Sequence, residues 1–274
     1  MILIRPFDKL LGVDLMISIY AASTNSKSVT IKSMLALTCM AAAIITQPLA
    51  ASAQVIVVQS SAKGIKAGTL LPNDAKIAIP AGSKAVFVLP SGASRTVKGP
   101  FNGRAGDLTK GVKANPGVFD AVKRYVRTGG STQKTVGAVR SAAPAYALGK
   151  PLPFSWHTVP VTTSGDFCVE KGASVSLVRT RTKNAQNITI IDMKSQRRVR
   201  VAFPAGAKSI AWPDDLNIDP GATYTLLTDG RPPREMRMRM ITPLPEREDT
   251  LQVLHGQRCQ TQFRAFIREM QAAG

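Results

Sequence analysis

Arginines alternate with other residues in three segments of this chain: Val178-Arg179-Thr180-Arg181, Arg198-Val199-Arg200-Val201 and Met236-Arg237-Met238-Arg239-Met240. Side chains two apart on a strand share a face. Read as strands, these segments turn their arginines one way and mostly apolar side chains the other. A guanidinium is a planar fork that matches the oxygens of phosphate and carboxylate groups. If the three strands share a sheet, Arg179, Arg181, Arg198, Arg200, Arg237 and Arg239 line one exposed anion-binding surface. An ordinary solvated sheet face accounts for the same alternation.

Other chemistry is harder to assemble. The two histidines, His157 and His255, stand apart, and the chain has no H-x-x-x-H or C-x-x-C spacing. A zinc site needs three or four closely spaced ligands, so no metal and no cofactor is expected. There is no G-x-S-x-G for a serine nucleophile, no P-loop and no G-x-G-x-x-G. Ser91 in Pro90-Ser91-Gly92 reads as a hairpin turn residue. Asp214 and Asp215 are adjacent, and neighbours in an extended segment point apart. No catalytic set emerges, and the chain reads as a non-enzyme.

The compartment decides what the cysteines mean. Met34 to Ile45 is an apolar run of 12 residues that follows Lys27 and Lys32 and leads to Ala51-Ser52-Ala53. A basic flank, a short apolar core and an A-x-A site describe a secretory signal peptide. A membrane-spanning helix needs about 20 apolar residues, so no transmembrane anchor is expected. Met16 offers a start of ordinary signal length, so the sequence leads to the expectation that residues 1–15 stem from a misassigned start codon. Cys39 lies inside the apolar run and is lost with it. Cleavage after Ala53 leaves Cys168 and Cys259. An even pair in an exported chain predicts a disulfide closing a loop of about 90 residues, worth roughly 4–5 kcal/mol in the chain-entropy model.

Charge points the same way as the arginines. The full chain carries 36 Lys and Arg against 17 Asp and Glu, a net charge of +19. Four of those basic and two of those acidic residues precede Gln54, so the exported part keeps +17. Such a balance attracts polyanions. In an envelope these are lipopolysaccharide or anionic lipid head groups, wall polymers and nucleic acid. Aromatic residues make up only 5% of the chain. That argues against a single-strand nucleic-acid platform, which stacks bases on rings.

These side chains must be held by mainly β elements. Residues 54–103 carry short apolar runs (Val55–Val58, Lys76–Pro80, Ala85–Leu89, Ser94–Val97) separated by Pro72-Asn73-Asp74, Ala81-Gly82-Ser83 and Pro90-Ser91-Gly92. Such punctuation predicts a small β-barrel or sandwich. The series Gly64, Gly68, Leu70-Leu71, Ile77, Gly82-Ser83, Leu89-Pro90-Ser91-Gly92 and Gly99-Pro100 resembles the small all-β domain of FecR-type envelope proteins. Ser91 replaces the usual acidic residue of the second turn, and Asn73-Asp74 replaces the Gly-Asp step. The resemblance covers about 50 residues and implies a non-catalytic envelope β-module.

Residues 104–150 read as a helix and a flexible linker. Val118, Val122, Tyr125 and Val126 recur at helical spacing after Pro116, and Gly129-Gly130 marks a stop. Gly129 to Pro144 reads as an exposed linker. Residues 151–274 hold seven further strand-like runs: Phe154–Val159, Asp166–Val169, Ala173–Thr182, Asn187–Asp192, Arg197–Phe203, Tyr224–Thr228 and Glu235–Ile241. Their spacing predicts an immunoglobulin-like β-sandwich, with Trp156 and Trp212 as core anchors. A C-terminal helix follows from Leu251, Leu254, Phe263, Phe266, Ile267 and Met270, broken near Gly256. The sequence therefore predicts a non-catalytic periplasmic or secreted protein. It would bind an anionic envelope component or a protein partner, with no specific nucleic acid. The alternatives are an envelope hydrolase acting on wall or glycan material, and a subunit of a signalling or secretion assembly.

Overall fold

Val55 to Val58 is apolar at four successive positions because the strand that contains it is covered on both faces. In the computed structural model, which describes residues 54–128 and 151–272, this strand is β1 (Gln54–Ser60). It pairs with β2 (Leu70–Pro72) and β4 (Lys84–Val88), and β4 with β5 (Ser94–Lys98), in the order β2-β1-β4-β5. Val55, Val57, Ala85 and Phe87 face a two-stranded ribbon of β3 (Lys76–Ile79) and β6 (Phe101–Arg104). Ile56, Val58, Val86 and Val88 face the other way, onto helices. The first half is thus a layered, open arrangement rather than a closed barrel.

Two helices follow, α1 (Ala105–Leu108) and α2 (Pro116–Arg127). Pro116 takes the first helical position, where its missing N–H costs nothing. Val118 and Val122 are buried against the first sheet, as the spacing requires. Gly92 closes the β4–β5 turn at φ 88°, directly beneath Val118, and a Cβ there would lie 2.3 Å from a Val118 methyl. Ser91 in the same turn accepts the Ala93 N–H at 3.0 Å, the structural role the sequence suggests. Gly129-Gly130, the linker 129–144, the signal segment and the cleavage site at Ala53 lie outside the described residues.

The second half is a two-sheet sandwich. One sheet holds β7 (Thr158–Pro160), β9 (Ser176–Val178) and β12 (Ser209–Ala211) in the order β12-β9-β7. The other runs β11-β10-β13-β14-β8, from β8 (Gly165–Glu170), β10 (Gln186–Asp192), β11 (Arg198–Phe203), β13 (Thr223–Thr228) and β14 (Arg234–Ile241). Most pairs are antiparallel, but β14–β8 and β7–β9 run parallel. Phe167, Leu177, Ile188, Ile190, Phe203, Trp212, Tyr224, Leu226, Met236 and Met238 fill the space between the sheets. Trp212 sits edge-on to Tyr224, with ring centroids 4.9 Å apart.

Two expected strands are shorter than their runs. The chain leaves β9 at Val178, so Arg179 and Arg181 fall in the following loop. Phe154 and Trp156 precede β7 and stack edge-on, and Phe154 stacks in turn on Phe266. Trp156 packs there against the helical core and not between the sandwich sheets.

The C-terminal segment forms a single 3-10 turn at Arg247–Asp249, then α3 (Thr250–Gly256) and α4 (Gln260–Ala272). Arg258 turns the chain between α3 and α4 at φ 62°. Leu251, Leu254, Phe263, Phe266, Ile267 and Met270 meet Ile56, Val58, Val86, Val88, Val118 and Val122 in one apolar cluster. Both halves therefore share a core, and Ala51–Gly274 clusters as one unit. Cys168 on β8 and Cys259 at the start of α4 form a disulfide, with Cα atoms 5.8 Å apart and both residues fully buried.

Candidate functional site

The β10–β11 hairpin carries two of the six arginines. Its turn is tied by Asp192, whose carboxylate accepts the Ser195 hydroxyl at 2.6 Å and the Lys194 N–H at 2.9 Å. These hydrogen bonds, the hydroxyl first, hold the Asp192 carboxyl below its usual range. Past the turn, β11 alternates exposed Arg198 and Arg200 with half-buried Val199 and Val201. Arg200 lies opposite Thr189, and Thr189 opposite Leu227. Arg198 lies opposite Ile191, Ile191 opposite Thr225, and Thr225 opposite Glu235. Two and four residues beyond Glu235 on the same face of β14 come Arg237 and Arg239.

The register therefore brings Arg198, Arg200, Arg237 and Arg239 to the outer face of the five-stranded sheet. They are not equivalent. Arg239 donates from Nε to Asp166 Oδ1 at 2.8 Å, and Arg237 Nη1 lies 4.0 Å from the same oxygen. Asp166 thus neutralises part of the β14 pair. Arg198 and Arg200, at the free edge, form no ion pair with any described residue. Leu227 and Met193 are exposed beside them, at 37% and 47%. The face is a cationic edge next to a small apolar strip.

Arg179 and Arg181 do not join it. Arg179 is only 3% exposed. Its Nε donates to the Ala207 carbonyl at 2.9 Å, Nη1 to Asn184 O at 2.8 Å and Nη2 to Pro204 O at 2.7 Å. Its guanidinium carbon stands 4.9 Å from the centre of the Phe203 ring. Arg181 is exposed on the loop after β9 and lines an arginine-rich cleft at one end of the sandwich. Alternation alone identified these two, and the end of β9 at Val178 removes the periodicity that alternation assumes.

The other candidate groups separate. His157 Nε2 lies 2.6 Å from Glu170 Oε2, a surface contact, with the side chains 49% and 38% exposed. No motif in the sequence links them: 13 residues intervene, and the residue before β7 meets the end of β8, where the Glu170 N–H also reaches the Trp156 carbonyl at 3.3 Å. His255 tilts against Phe263, with ring centroids 5.8 Å apart. Asp215 takes Arg197 at 3.2 Å in solvent, which leaves the Asp214-Asp215 pair a loop feature. Among the described residues, no group of three or more His, Cys, Asp and Glu is placed to hold a metal ion. None of the described helices is long and apolar enough to cross a membrane.

Compared with protein-family models, with curated proteins and with solved structures, the chain shows no match.

Proposed function

We propose that this chain is a non-catalytic binding protein exported to the bacterial envelope, which contacts an anionic envelope polymer through the outer face of its five-stranded sheet. The observation that carries the reading is the register that sets Arg198, Arg200, Arg237 and Arg239 on one face, with Arg198 and Arg200 at its edge in no ion pair with a described residue. The net charge of +17 that remains from Gln54 onward supplies a long-range attraction in the same sense. The disulfide fits an oxidising compartment. The signal-like segment before Gln54 and the FecR-like order of turns in residues 54–103 support an envelope role.

Co-sedimentation with envelope fractions at low and high salt tests this. Capture of an anionic polymer or lipid that fades steeply with salt supports the reading. Salt-resistant capture of one defined protein makes the chain an assembly subunit and reduces the arginines to a solvated face.

The His157–Glu170 contact favours one other reading, an envelope hydrolase. A histidine oriented by a carboxylate is the arrangement a general base requires. Wall-degrading activity that is abolished in His157→Ala would establish it.

A further inference from the structure

The sandwich is sealed by apolar side chains through most of its length and turns polar at one end. Interior-facing positions turn polar towards that end in a stagger, with Arg234 opposite Leu226 and Thr228 opposite Ile188. On β10, Ile190 and Ile188 give way to Gln186, on β13 Leu226 gives way to Thr228, and on β14 Met236 gives way to Arg234. On the facing sheet, Leu177 gives way to Arg179. These residues line a cleft of about 350 Å³ together with Arg181, Arg231 and Asp229. Gly230, at φ 69°, closes the Thr228–Arg231 turn that brings Arg231 to the rim.

Arg179 makes this more than a basic surface. A buried charge is ordinarily paired with an opposite one. Arg179 has its donors satisfied by three carbonyl oxygens, yet it forms no ion pair with a described carboxylate. Its hydrogen bonds are met and its charge is not. A cation fixed on a low-dielectric floor concentrates its field in the opening above it. Four arginines line that opening against one carboxylate, Asp229.

We propose that this cleft is a binding site for a phosphomonoester. Its net charge calls for a dianion, and guanidinium forks with the Thr228 hydroxyl and the Gln186 amide suit a tetrahedral oxyanion. Its volume lies at the small end of the range for organic ligands, about 300–1,000 Å³, and exceeds what an inorganic ion fills. Val161 and Pro232 offer an apolar wall to the organic part. An extended peptide is disfavoured at the neighbouring sheet edge. The Val161 N–H points inward to Val178, so by alternation Thr158, Pro160 and Thr162 point outward, and the middle one has no N–H to donate to an added strand. The site is separate from the sheet face and stands or falls without it.

Calorimetric titration of the purified protein with glycerol 3-phosphate tests the proposal, with sodium acetate at matched ionic strength as the reference anion. Arg179 is left intact, because its removal strips buried carbonyls of their partners. In Arg231→Ala/Arg234→Ala, the loss of two charge-assisted hydrogen-bonding groups weakens binding at least about tenfold. Lys63→Ser/Lys66→Ser removes the same charge from exposed positions on the first half and leaves binding within about twofold, as for independent sites. Capture on phosphatidic acid vesicles, reversed by glycerol 3-phosphate, identifies a lipid head group as the source. Binding of the soluble ester without vesicle capture identifies a free phosphate ester. No binding, equal binding of acetate, or equal loss in the two double variants overturns the proposal. Polymer capture reports on the sheet face and glycerol 3-phosphate on the cleft, so failure of one is distinguishable from failure of the other.

Discussion

Gln262 on α4 grips the backbone of Cys168 from both sides: its Oε1 accepts the Cys168 N–H at 2.7 Å, and its Nε2 donates to the Cys168 carbonyl at 2.6 Å. β8 is the edge strand of its sheet, paired only with β14. The Gln262 amide therefore stands where a neighbouring strand's peptide group would, and a second Nε2 bond reaches Ser155 O at 2.8 Å. Three residues earlier on the same segment, Cys259 bonds covalently to Cys168. The edge of β8 is thus covered at one point by a helix, one of the ways an open sheet edge is protected.

Gln262→Ala leaves the Cys168 N–H and carbonyl buried without partners, at about 1–3 kcal/mol for each unsatisfied group. We expect urea unfolding to show a loss of about 2–6 kcal/mol. Gln262→Glu should be no milder, since a carboxylate cannot donate to the Cys168 and Ser155 carbonyls. Wild-type stability in either variant would mean the amide clamp contributes nothing.

The disulfide spans 91 residues. Cys168→Ala/Cys259→Ala should lose about 4–5 kcal/mol on the chain-entropy account, with the melting temperature falling accordingly. Both sulfurs are buried among Trp156, Phe263 and the other side chains of the helical core. Thiol counting should therefore find the bond intact after mild reductant in buffer and cleaved once denaturant is added.

Gly92→Ala meets two obstacles, a positive φ of 88° and a Val118 methyl 2.3 Å from the new Cβ. A left-handed conformation costs about 1–2 kcal/mol for a residue with a Cβ, and overpacking adds about 1–3 kcal/mol. Gly82→Ala takes the same kind of turn with open space around it, so it should show only the first cost. Equal losses for the two variants would contradict the packing of α2 on that turn.

Tyr224 is 1% exposed and donates its hydroxyl to the Asn217 carbonyl. Burial, the main cause, pushes its phenol up to about 12 from an ordinary value near 10. Between those values the unfolded chain releases a proton that the folded chain keeps. This contribution is thus fully present below about pH 10 and is lost as pH rises towards 12. Tyr224→Phe should flatten that part of the pH–stability curve. Ultraviolet titration of the folded protein should show one tyrosine ionising late.

Much of the architecture was legible because burial writes itself into periodicity. The unbroken apolar runs of β1 and β4 match a sheet covered on two faces, and the alternation in β11 and β14 matches one covered on a single face. Arg179 shows where periodicity stops. It fits the alternation in sequence, but β9 ends at Val178, and carbonyls 25 and 28 residues away capture its side chain and turn an expected surface cation into a buried one. The His157–Glu170 contact joins the residue before β7 to the end of β8, and the Gln262 clamp caps a sheet edge; no local pattern encodes either.

The most direct test of the account measures binding of the purified protein to an anionic envelope polymer across a salt series, in wild type and in Arg198→Ser/Arg200→Ser. The account predicts a linear fall of log affinity with log salt for wild type, and a slope shallower by about one to two in the variant. Identical slopes and affinities for the two proteins would contradict a binding role for the sheet face.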